Sequence, residues 1–186
     1  MVSLAHLWLP ILLSAVVVWF WAFLSWAILP IHKGDFSGVP GEDEFLKAIR
    51  GLNLPQGNYG FPHCGSHAQR NDSAFVEKWK SGPVGMINVW NPNPSMGSNM
   101  IATFVVYLVV SLLIGYIGVA AGLPRGVGFM KIFQVLGTVG IVAYSFAFLP
   151  SMIWFQASSS AKFTGMLDGV ISGLLTGIIF AALWPG

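Results

Sequence analysis

Charge is scarce in this sequence: Asp, Glu, Lys and Arg make up 9% of its 186 residues, against about 25% in an ordinary soluble domain. A water-exposed surface cannot be built from so few ions, so a soluble globular chain is excluded. Cysteine is nearly absent as well. Cys64 stands alone, which rules out an internal disulfide and leaves the compartment open. The formal charge of +2 gives no electrostatic basis for binding nucleic acid. No serine or cysteine nucleophile motif, phosphate loop or dinucleotide fingerprint occurs. Nothing therefore points to an enzyme, a catalytic residue or a cofactor.

Apolar residues are what the sequence has in excess, at 55% with a mean hydropathy of +0.71. They fall into charge-free runs from Leu4 to Ile31, Met100 to Pro124 and Ile132 to Ala161. A fourth, Phe163 to Trp184, is interrupted only by Asp168. Each can span a hydrocarbon core that needs about 20 helical residues. The first lacks a basic flank and an A-x-A-like site and is too long for a signal h-region, so it reads as a retained helix. The expectation is an all-α membrane protein with four transmembrane helices, near residues 3–31, 99–123, 127–156 and 162–184. The lipid bilayer is its first partner. Aromatics on the first helix, among them Trp8, Trp19, Trp21 and Trp26, suit membrane anchoring.

By this reading residues 1–31 hold the first transmembrane helix, 32–98 a structured cap outside the membrane, and 99–186 the other three helices, in a single domain. The cap is too long for a plain connector. In "PGEDEFLKAIRGLN" acids open and bases close a short helix that Gly51 should terminate. In "DSAFVEKWKSGP" Asp72 or Ser73 caps a second, stopped at Gly82-Pro83. Their apolar residues Phe45, Ile49, Phe75 and Trp79 are expected to be buried against the bundle or membrane. "GNYGFP" and "VGMINVW" can pair as a small β-ribbon. Every acid but Asp168 lies between Asp35 and Glu77, and charge counting over so long a loop leaves the membrane orientation open.

Asp168 is the one acid inside a span. It is placed about five residues beyond the expected helix start, roughly 8 Å in at 1.5 Å per residue. Gly165, Gly169, Gly173 and Gly177 recur at every fourth position, a ridge on which another helix can pack closely. Asp168, Ser172 and Thr176 form the adjacent line, a candidate polar or ion site. The structural role of Asp168, hydrogen-bonded to the loop or a neighbouring helix, outweighs proton handling because few other polar groups accompany it. Pro150 should kink the third helix. In "FPHCGSH", His63, Cys64 and His67 carry two imidazoles and a thiol that could ligate a metal, but no fourth ligand follows, so a turn is the stronger reading.

The stretches "LWLPILLSAVVV", "HKGDF", "FVEKWKSGPVG" and "LDGVISGLLTGIIFAALWP" resemble a family of small uncharacterised bacterial four-helix inner-membrane proteins. The resemblance implies a bacterial inner membrane and no known activity. Two roles follow from the residues. Abundant small-residue faces favour an accessory or scaffold subunit that packs with other membrane subunits or with its own copies. The alternative is a small transporter or channel component using Asp168, Ser172 and Thr176.

Overall fold

The computed structural model describes residues 2–186. Four of its helices are long and apolar enough to cross a membrane, as in an integral membrane protein: α1 (Leu4–Ile28), α5 (Met96–Ala120), α6 (Phe129–Trp154) and α7 (Ser159–Ala182). They belong to one compact unit made of residues 1–37 and 96–186, and residues 38–95 form a second.

The four helices alternate in direction. α7 is the central one, packed along α6 on one side and against α1 on another, while α1 also packs on α5. In α7, 39% of the apolar window is buried; in α5 only 17% is, so most of α5 faces outward. The apolar core lies towards one end, where Leu7, Ile11, Ile114, Ile132, Leu136 and Phe180 meet. Trp184 Nε1 ties off that end by donating to the Pro124 carbonyl at 2.9 Å.

Glycine sets the α6–α7 distance. A Cβ on Gly173 would overlap the backbone of Gly140 and Ile141, one on Gly177 the backbone of Gly137, and one on Gly169 the backbone of Tyr144. Gly165 differs, because its nearest neighbour is the Phe148 ring. Two glycines of α5 receive larger groups: Gly115 lies beside Ile11 and Phe180, and Gly118 beside Trp184.

The spans are not regular α-helices throughout. Leu24–Ile28 of α1 and the Phe133–Gly137 and Val142–Phe146 stretches of α6 are π-helical, a local widening that often marks functional positions. Pro150 begins a fresh helical turn at Leu149–Trp154 after a break at Ala147–Phe148. The ring lacks an N–H and would clash within a continuous helix. α7 starts three residues earlier than expected, because Ser158 acts as N-cap and accepts from Ala161 N at 3.0 Å. Asp168 is consequently roughly 13 Å along the helix and not roughly 8 Å.

In the second unit, α2 (Glu42–Gly51), α3 (His67–Arg70) and α4 (Ser73–Ser81) accompany the strands β1 (Gly57–Phe61) and β2 (Gly85–Val89). The strands pair antiparallel with Tyr59 opposite Ile87. The Asp72 carboxylate caps α4 by accepting from Ala74 N. Gly51 does not terminate α2 as expected; it is helical, and Asn53 takes the left-handed conformation just beyond, at φ 47°. The Phe75 and Trp79 rings are tilted 42° to each other, their centroids 6.0 Å apart. The rest of the protein leaves Phe45 and Trp79 38% and 49% exposed, and Ile49 and Phe75 are half-buried.

Candidate binding site

Asp168 sits on α7 where α1 ends, and two residues from that end, Ser25 and His32, meet it. The π-helical turn at Leu24–Ile28 turns Ser25 towards α7, and Ser25 Oγ donates to Asp168 Oδ1 at 2.7 Å. Leu29 is extended, Pro30 opens a 3-10 turn over Pro30–Gly34, and the chain is thereby brought back across the helix end. His32, on that turn, places Nε2 2.9 Å from Asp168 Oδ2. Its other ring nitrogen, Nδ1, lies 2.6 Å from Asp35 Oδ2. Gly34 makes the approach feasible, since Ser160 Oγ lies 3.0 Å from where its Cβ would stand.

The second carboxylate is held from α7 as well. Ser160 Oγ donates to Asp35 Oδ1 at 2.9 Å and Thr164 Oγ1 to Oδ2 at 2.8 Å. Burial pushes the Asp35 carboxyl up, but hydrogen bonds from His32, Thr164 and Ser160 outweigh it and hold the group below the usual carboxylate range. Trp26 stacks on the imidazole, centroids 3.8 Å apart and planes 11° from parallel.

Both imidazole nitrogens face carboxylate oxygens, and Ser25 Oγ lies 3.1 Å from Nε2 as well. A neutral imidazole has only one N–H, so donation to both carboxylates takes a second proton. With two, the cluster carries net −1; a third proton makes it neutral.

A cavity of about 410 Å³ opens beside Asp168, bounded by Trp21, Trp26, Phe36, Tyr107, Tyr144 and Phe148, and it also touches His32, Asp35, Gly165 and Ser172. No lysine or arginine lines it. Of the three titratable groups Asp168 is the least covered, with 17% side-chain exposure against 7% for His32 and 2% for Asp35. Asp168 thus faces the cavity and Asp35 is sealed behind it. The buried indole N–H of Trp21 on the cavity wall has no hydrogen-bond partner.

Of the expected line of Asp168, Ser172 and Thr176, the first two border this cavity and Thr176 lies outside it. Ser172 Oγ donates to the Asp168 main-chain carbonyl at 2.7 Å, not to its carboxylate, and Thr176 Oγ1 has no partner. The cause is the direction of the Asp168 side chain, which is drawn towards α1. Gly169 and Gly165 border the cavity, while Gly173 and Gly177 lie deeper on α6. His63, Cys64 and His67 do not form a metal-holding group: among the described residues no such cluster of three exists. Cys64 Sγ instead donates to the Ser66 carbonyl, and Ser66 caps α3, where His67 is the first helical residue.

His32 and Asp35 were absent from the expected site because they follow the apolar run and read as part of the cap. Their i, i+3 spacing in "IHKGDF" right after a membrane-length helix was the available signal. Comparison of the chain finds no matching family model, curated protein or solved structure.

Proposed function

We propose that this chain is a small transporter-type component that binds a hydrophobic organic cation beside Asp168, exchanging it for a proton. The setting implied by the sequence resemblance is a bacterial inner membrane. One observation carries the reading: an aromatic cavity headed by two carboxylates that have a single imidazole as counter-charge and no Lys or Arg on the wall. Aromatic faces attract cations, most strongly when both are desolvated. A cluster at net −1 in an apolar setting needs a counter-charge. Either a third proton or a bound cation supplies it, so the two compete. The titratable groups facing Asp168 are His32 and Asp35 from the turn after α1, with Tyr107 of α5 and Tyr144 of α6 across the cavity.

The test uses benzyltrimethylammonium and its uncharged carbon isostere, neopentylbenzene, titrated against the protein in lipid nanodiscs. The charged probe is expected to bind more weakly as pH falls, and at least about tenfold more weakly to Asp168→Asn, a loss of about 1.4 kcal/mol. Equal binding of the isostere, or unchanged binding to Asp168→Asn, overturns the reading.

An accessory-subunit role is the competing reading. It is favoured by the broad apolar outer face of α5, where Ile101, Val106 and Leu113 are all exposed. A stoichiometric protein partner retained on mild extraction, together with no cation binding, is its signature.

A further inference from the structure

Deeper in the bundle, four helices each supply one hydroxyl with no hydrogen-bond partner: Ser14 from α1, Ser111 from α5, Tyr144 from α6 and Thr176 from α7. Ser14, Ser111 and Thr176 are fully buried. Other helical hydroxyls of this chain turn back on their own helix, as Thr103 does to the Asn99 carbonyl and Ser172 to the Asp168 carbonyl. These four do not.

They occupy one layer. Ile11 of α1, Gly115 of α5 and Phe180 of α7 meet side by side. Ser14, Ser111 and Thr176 are each about one turn from those residues in the direction of Asp168, on nearly the same helix faces. Tyr144 has Ser111 and Thr176 as neighbouring hydroxyls, although none of the three is in hydrogen-bond geometry with another. Tyr144 also borders the cavity beside Asp168. Beyond the layer, towards Leu7, Ile132 and Leu136, the core is apolar.

We propose that this hydroxyl layer is an internal water site, the closed end of a one-sided polar path that begins at Asp35 and runs through His32, Asp168 and the cavity. A buried hydroxyl left unpaired costs about 1–3 kcal/mol, so four such groups in one layer favour a guest. The guest must both donate and accept and must be uncharged, because no ionised side chain is among the four groups. Water meets each requirement and needs two to four polar partners. The apolar residues past the layer stop the water and leave the path open from the Asp168 end only.

The site stands on the hydroxyl geometry and does not depend on cation binding, so the two can fail separately. Infrared spectra of the nanodisc-embedded protein in H₂¹⁶O and H₂¹⁸O detect weakly hydrogen-bonded internal water as an isotope-sensitive O–H stretch. Wild type should show that band. Ser111→Ala and Thr176→Val should each remove most of its intensity, while Thr103→Val, on the outer face, should leave it unchanged. The proposal is overturned by the lack of an isotope-sensitive band in wild type or by a band that survives both core substitutions. Benzyltrimethylammonium binding to Ser111→Ala, expected to stay near wild type, reports on the cavity independently. Should Thr176→Val not fold, Ser111→Ala decides alone.

Discussion

At the scale of single residues, His32 is the centre of the bundle's charge chemistry. It separates two carboxylates that would otherwise repel each other in a weakly solvated place. Removing one member of a buried ionic group costs about 3–5 kcal/mol, because the remaining charge is left uncompensated. His32→Ala is therefore expected to lower stability by an amount of that order, measured by thermal unfolding in detergent, whereas Lys33→Ala on the same turn should change little. Asp35 gives a pH prediction. Its carboxyl titrates below the ordinary 3.8 in the folded protein, so its stabilising contribution is complete above the unfolded value and is lost as pH falls through the lower folded value. Asp35→Asn should flatten the acid limb of the stability profile below about pH 4; an unchanged acid limb would show that another group governs it.

At the scale of elements, glycine position decides how α6 and α7 meet. At Gly173 an added side chain collides with main-chain atoms of Gly140 and Ile141, which cannot move without separating the helices. Overpacking of this kind costs about 1–3 kcal/mol for small additions and more for large ones. Gly173→Leu should therefore fail to give a monodisperse protein on size-exclusion chromatography. Gly165→Ala meets only the edge of the Phe148 ring, 3.2 Å away, and should be recovered normally, with a smaller cavity. Equal recovery of both variants would rule out close main-chain contact at Gly173. The same four-residue spacing thus serves two purposes: Gly165 makes room for a cavity, and its successors allow contact between helices.

At the scale of the whole molecule, the cavity is lined from all four spans, by Trp21 of α1, Tyr107 of α5, Tyr144 of α6 and Asp168 of α7, so the proposed ligand would join them. Binding should stabilise the folded bundle by about 2.7 kcal/mol at a ligand concentration one hundred times Kd. Benzyltrimethylammonium should raise the melting temperature of wild type and leave that of Asp168→Asn where it was. A rise of the same size in both would place the ligand elsewhere.

Hydropathy determined the four spans, and turn and capping residues such as Asp72 determined two of the three cap helices, α2 and α4 but not the single turn α3, because these depend on a residue and its near neighbours in the chain. The β-ribbon was legible for the same reason: Gly and Pro bound two short runs of strand-forming residues. The Asp168–His32–Asp35 cluster was legible only by half. Asp168 stood out as an acid inside an apolar run, but His32 is 136 residues away and looked like the first residue of a loop. Which polar groups meet depends on where α1 ends against α7, and that is set by the π-helical turn at Leu24–Ile28 and the small residues Gly34 and Ser160. Nothing in the spacing of Asp168, Ser172 and Thr176 discloses that the carboxylate turns to α1 while Ser172 bonds its own backbone. A residue's local pattern places it on a helix; only the packing of that helix against another chooses the partner, because the energy gained in pairing a buried charge exists only once both surfaces are in contact.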